Sequence, residues 1–221
     1  MRNLLKIMLT LACVFASTFL IAKLTGVISI EKIHTWLEFA RNSHSNYVAI
    51  IVIALLALDI VFAVPTLTII MLSGYFLGHT YGAIASITGV LLAGGLGYML
   101  SYFYGEKLEK LIIKNEQQRQ ELRVVFNQFG IPMILLSRAM PILPEVTACM
   151  SGMTKMPFWK FMLAWILSSV PYVLIASYAG AISTLNNPKP AIITAIGLTT
   201  FFWLGWFILQ RVSKNKMLSN G

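Results

Sequence analysis

Apolar stretches follow one another along this chain with little polar sequence between them. They occupy residues 4–22, 47–64, 66–78, 81–104, 131–153, 157–180 and 189–210. A helix needs about 20 residues to cross the hydrocarbon of a bilayer, and the first, fourth, sixth and seventh stretches meet that length. The second and third join at Val64-Pro65 with no polar loop, and the fifth is broken by Pro141 and Pro144. Segments too short or too interrupted to span predict re-entrant hairpins, which leave the membrane on the side they entered.

The order of elements is duplicated. From 47 to 104 it runs apolar helix, proline break, short apolar helix, glycine-rich turn, long helix. From about residue 125 to 180 the same order returns, with Gly152 near the second turn. The expected fold is an all-α integral membrane protein in a single membrane domain. It has about four spanning helices and two opposed re-entrant hairpins arranged as an inverted repeat. Residues 1–46 supply a first spanning helix and an outer interfacial helix, in which Ile30, Ile33, Trp36, Leu37 and Ala40 fall at helical spacing. Residues 47–104 and 129–180 supply the hairpins, each followed by a spanning helix, and 188–211 the last span. Residues 105–128 alternate charges with Leu108, Leu111, Ile112, Leu122, Val125 and Phe126, which predicts an amphipathic helix resting on the cytoplasmic face.

Composition removes the soluble alternatives. Of 221 residues, 57% are hydrophobic and only 11% charged, with mean hydropathy +0.77; a soluble domain carries about a quarter charged residues. Arg2 and Lys6 ahead of an apolar run imitate a signal peptide. The run from Ile7 to Ala22 is long for one, however, and no small-x-small cleavage site follows. An uncleaved helix is expected.

The net charge of +9 would suit nucleic acid, but the basic residues are scattered near the ends of apolar runs. That is the distribution of topology signals and lipid-headgroup contacts, not of a nucleic-acid surface. With a cytoplasmic N-terminus and both hairpins re-entrant, twelve of the 17 Lys and Arg fall inside and four outside, with Arg138 in the membrane. A fully crossing first hairpin would move the basic loop at 105–124 outside, against the positive-inside rule. Both termini are therefore expected in the cytoplasm.

The candidate chemistry lies at the proline breaks. An arginine at the centre of a spanning helix costs about 2.5–3.5 kcal/mol on insertion scales, and such residues mark functional sites by default. Pro141 and Pro144 free backbone carbonyls about one turn upstream of themselves, beside Arg138, and Glu145 starts the returning helix, where the helix dipole favours an anion. Asp59 lies six residues before Pro65 on a wholly apolar helix. Low dielectric disfavours its charged form, which makes it a candidate proton carrier. Arg138, Glu145, Asp59, Pro141 and Pro144 are thus the candidate substrate- or proton-binding residues. A structural alternative is an ion pair of Arg138 with Glu145 or Asp59 that only pins the hairpin tip.

Other chemistry finds no support in the spacing. Cys13 and Cys149 are far apart in apolar surroundings, His34, His44 and His79 are isolated, and no serine or threonine has a His/Asp partner at useful spacing. No catalytic site, metal site or cofactor is expected. Gly74, Gly78 and Gly82 repeat the spacing that lets helices approach closely. Tyr98, Tyr102, Tyr104, Trp159, Trp203 and Trp206 suit interfacial aromatic belts.

Two long stretches resemble a known family. "VPTLTIIMLSGYFLGHTYGAIASITGVLLAGGLGYMLSYFYG" has the proline, the apolar run, the G-x-[FL]-x-G and the glycine-rich helix ending in aromatic-x-x-G of the first half of the DedA/VTT superfamily. "FNQFGIPMILLSRAMPILPEVTACMSGMTKMPFWKFMLAWILSSVPYVLIASYAG" is similar to its second half, where F-x-x-x-G leads to R-x-x-P and a small-residue turn. The likeness covers about residues 45–181. DedA proteins proper often carry a second arginine six residues after the first; here Pro144 stands there, followed by Glu145. The chain is therefore closer to the branch reading R-x-x-P-x-x-P, and Asp59 corresponds loosely to the acidic residues of the first hairpin.

The resemblance implies two opposed re-entrant hairpins and lipid translocation in a bacterial inner membrane. On that footing Arg138 would hold an anionic, phosphate-bearing headgroup, while Asp59 and Glu145 would couple the cycle to protons or repel the headgroup for release. The partners expected are membrane lipids, with proton coupling and a homo-oligomer left open. A proton-coupled small-solute transporter and a non-transporting membrane scaffold remain the alternatives.

Overall fold

The computed structural model describes residues 45–59, 65–112, 115–139, 143–183 and 189–219, and these form helices joined by short turns, with no strand among them. The elements are α1 (Ser45–Ala57), α2 (Thr66–Leu77), α3 (His79–Ile112), α4 (Glu116–Leu136), a 3-10 turn (Ser137–Ala139), α5 (Leu143–Met153), α6 (Phe158–Ile182) and α7 (Lys189–Ser219). The expected first spanning helix and outer interfacial helix, within 1–46, lie outside the described residues apart from the start of α1.

Local chemistry accounts for the helix ends. Pro65 and Pro157 immediately precede α2 and α6, where a fixed φ suits helix entry and a missing N–H costs nothing. Gly78 ends α2 with φ 78°, the left-handed conformation that glycine adopts without strain. That position belongs to a turn, and nothing would meet a Cβ there, so the close-packing role expected of Gly78 falls to Gly74 and Gly82. The equivalent second turn carries Lys155 at φ 56°, an uncommon conformation for a residue with a Cβ. Its side chain holds the turn from outside: the amine donates to the Tyr102 carbonyl and lies 3.7 Å from the centroid of that ring.

Packing follows the duplication, with the halves exchanged. The short helix of the first unit, α2, packs on the long helix of the second, α6, and α5 of the second unit packs on α3 of the first. Both crossings are made by backbone against backbone. A Cβ on Gly74 would overlap the Ser177 carbonyl, and one on Gly152 would overlap that of Tyr98. Matching latches secure the turns: Ser177 Oγ donates to the His79 carbonyl at 3.1 Å, and the Tyr98 hydroxyl donates to that of Met156.

The chain is apolar outside and partly polar inside. Leu92, Leu96, Leu100, Leu163, Leu167 and Leu174 are exposed, while Ser73, Ser86, Ser151, Ser169 and Ser177 are buried. The inner hydroxyls have partners, as where Ser73 Oγ donates to the Ile70 carbonyl at 2.7 Å and meets Ser86 Oγ at 2.7 Å. Water would penalise such an exterior, whereas lipid accommodates it, and small hydroxyl residues are what helices use to pack in lipid. Two helical segments, His79–Gly105 and Phe158–Ile182, are long and apolar enough to cross a bilayer, and Lys189–Gly205 is a shorter apolar one.

Two sequence expectations need correction. The charged stretch 105–128 is not one helix: it is divided between the end of α3 and the first half of α4. The reason is local, because the Asn115 side chain accepts from the Gln117 N–H and caps a new helix, with Glu116 in its first turn. Tyr98 is no interfacial belt residue either. It is only 5% exposed, and its ring lies 5.0 Å from that of Phe161 and 5.2 Å from that of Phe158. Its hydroxyl has the buried partner that an amphipathic ring requires. Tyr102, Tyr104, Trp159 and Trp203 are exposed, as a belt would have them.

Candidate functional site

Pairing the two units by this exchanged packing brings their breaks into register. Arg138 stands 79 positions after Asp59, Pro144 79 after Pro65, and Glu145 79 after Thr66. The acid of one unit thus occupies the repeat position held by the base in the other. The prolines, one at each break, set the same geometry: Pro65 leads into α2, and Pro144 is tolerated in the first turn of α5.

The two breaks face one narrow pocket, with room for little more than a water molecule. Asp59 and Thr66 enter it from the first break, Arg138, Pro144 and Glu145 from the second, and Trp165 from α6. Pro141 lies outside the described residues.

Each polar group is held differently. Thr66 Oγ1 donates to Asp59 Oδ2 at 2.7 Å, which orients a carboxyl that is 5% exposed. Glu145 lies close to Asp59 and within electrostatic reach of Arg138, and among the described residues its Oε2 is buried without a hydrogen-bond partner. A buried acceptor left unpaired costs about 1–3 kcal/mol, so this oxygen is available for a donor entering the pocket.

Arg138 is gripped by one face of α6. Its Nη2 donates to Ser169 Oγ at 2.9 Å, and its guanidinium carbon lies 5.2 Å from the centroid of Trp165 and 5.3 Å from that of Tyr172. Residues 165, 169 and 172 share a helix face by their spacing of four and then three. A guanidinium has five N–H donors, and among the described residues Ser169 takes one. Arg138 also lines the pocket.

Sequence reasoning did not find Thr66, Trp165, Ser169 or Tyr172. The signal for Thr66 was its place after the proline, matching Glu145. That for α6 was a polar-aromatic face at helical spacing on an otherwise apolar helix, which reads equally well as ordinary packing. No group of three or more His, Cys, Asp or Glu able to hold a metal occurs among the described residues.

A helical protein, apolar outside and duplicated about a charged internal pocket, belongs to the class of integral membrane proteins. Comparison with known proteins gives the family: a family model for the VTT domain matches residues 64–182, more than half the chain. The chain belongs to the VTT domain family, the DedA family to which the two sequence stretches point, and is located in a membrane. It is 24% identical to the uncharacterized protein YqeD of Bacillus subtilis, over 69% of this chain and 74% of that one. It is 27% identical to the uncharacterized membrane protein slr0232 of Synechocystis, over 67% of this chain and 70% of that one. Undecaprenyl phosphate transporter A of Bacillus subtilis is 21% identical, over 53% of this chain and 64% of its own length. No solved structure gives a significant match.

Proposed function

We propose that this protein is a multi-pass transporter of the bacterial inner membrane, a flippase or scramblase that carries a phosphate-bearing lipid headgroup across the bilayer. The observation that carries this reading is the fork of Arg138, held from behind by α6 and turned to a pocket between two helix breaks. Guanidinium matches a phosphate oxyanion in shape and charge. The pocket as it stands has no room for a headgroup, so the two breaks would part to admit one, with the acyl chains left in the membrane. The name of one relative, an undecaprenyl phosphate transporter, agrees with that chemistry.

The two carboxyls give the cycle its coupling. A headgroup phosphate cannot share a small pocket with two ionised carboxylates and a single guanidinium without net repulsion. Entry of the anion therefore demands a proton on Asp59 or Glu145, and loss of that proton repels the headgroup outward. Reconstituted liposomes containing fluorescent phosphatidic acid test this. Translocation is expected, and it accelerates as the loading side is acidified. Uptake of free inorganic phosphate with no lipid movement would indicate a solute transporter, and inactivity toward both would leave a scaffold.

The membrane arrangement that goes with this function has α1–α2 and the α4–α5 region as re-entrant hairpins, four spanning helices and both termini in the cytoplasm. Labelling of single-cysteine variants tests it. Cysteines at Gln118 and Lys155 are expected to react only from the cytoplasmic side. Labelling at 118 from outside would show that the first hairpin crosses the membrane fully.

A further inference from the structure

Beyond Arg138 itself, the site includes the parts that set the plane of its guanidinium. Trp165 is 3% exposed and Tyr172 8%, and each presents its ring to the guanidinium at just over 5 Å. Neither ring is free to rotate away. The Trp165 Nε1–H donates to the Val90 carbonyl on α3 at 3.1 Å, and Tyr172 is backed by Phe202 of α7, ring centroids 6.0 Å apart.

The indole also lies in a notch. A Cβ on Gly94 of α3 would overlap Trp165 at Cε2 and Nε1 and come within 2.8 Å of Cζ2. Only a residue without a side chain lets the indole lie that close to α3. Gly94 and Trp165 both line the pocket, so a displaced indole would move the wall on which Arg138 rests.

We infer that Gly94, Trp165 and Tyr172 are positioning residues for headgroup recognition, which hold the Arg138 fork in the orientation that takes two oxygens of one phosphate. The inference rests on the proposed role of Arg138. The physical basis is that a stacked guanidinium keeps its plane, and a fork already oriented loses less freedom on binding. A loose arginine would keep the charge but spread its donors over many directions.

The test uses the protein in liposomes with fluorescent phosphatidic acid, comparing wild type, Gly94→Ala, Tyr172→Leu and Arg138→Lys. Gly94→Ala and Tyr172→Leu are expected to raise the half-saturating lipid concentration roughly tenfold, with a smaller change in maximal rate. A role in folding alone would instead lower the amount of active protein and leave half-saturation unchanged. Wild-type half-saturation in Gly94→Ala and Tyr172→Leu, beside an inactive Arg138→Lys, would overturn the positioning role while leaving the headgroup reading intact. An active Arg138→Lys would instead remove the reading on which it rests. If Gly94→Ala does not fold, Tyr172→Leu decides alone, because its ring is lost without any overlap.

Discussion

Arg138→Lys is expected to insert and fold normally and yet translocate lipid at least about tenfold more slowly, since hydrogen bonds to charged groups are worth about 1.5–3 kcal/mol each. Lysine retains a positive charge near Asp59 and Glu145, so the carboxyls keep a counter-charge. What it loses is planarity. The stacking on Trp165 and Tyr172 and the simultaneous contact of one edge with Ser169 and another with the pocket need a fork. Arg138→Ala is the poorer experiment. It strands two carboxyls in a buried site, at a cost of about 3–5 kcal/mol, so that lost activity and lost fold coincide. A translocation rate near wild type for the lysine variant, at matched protein per liposome, would mean that Arg138 only pins the turn.

The second large effect concerns the crossings of the two units. Gly74→Ala, Gly152→Ala and Gly180→Ala are each expected to destabilise the protein by about 1–3 kcal/mol, the usual range for overpacking. In each case the added carbon meets backbone: the Ser177 carbonyl for Gly74, the Tyr98 carbonyl for Gly152 and the Met71 carbonyl for Gly180. Backbone cannot rotate aside as a side chain can, so the helices must separate, and the contacts along α2–α6 or α5–α3 loosen together. Gly197→Ala on α7 is the control, because nothing lies within 4 Å of the position. Thermal unfolding in detergent should separate the three from the control. Equal stability in all four variants would contradict the tight crossing.

Much of the architecture is local and was open to inspection from residues alone. Hydropathy runs, the prolines at 65, 144 and 157 and the glycine at 78 specify where helices start and stop. Such signals act on their own turn of chain and need no partner. Arg138 and Glu145 were likewise conspicuous, since charge in an apolar run is costly wherever the run ends up. The new helix start at Glu116 was missed because one asparagine cap decides it within a stretch whose charge pattern continues across both sides.

The company each group keeps is a different matter. Asp59 joins Arg138 and Glu145, and Trp165, Ser169 and Tyr172 come to grip the arginine, only because α2 crosses α6 and α5 crosses α3. Those crossings depend on backbones approaching at Gly74 and Gly152, a match of shapes between segments far apart in sequence. Hydropathy is blind to it, since close approach depends on the small size of the facing residues and not on how apolar they are. Even the 79-residue spacing of the breaks, present in the sequence throughout, acquires meaning from packing: the two units share almost no residues, and their equivalence rests on what each places in the pocket. Hydrophobic pattern and proline thus determine the helices, while close contact between glycine backbones determines which charges meet.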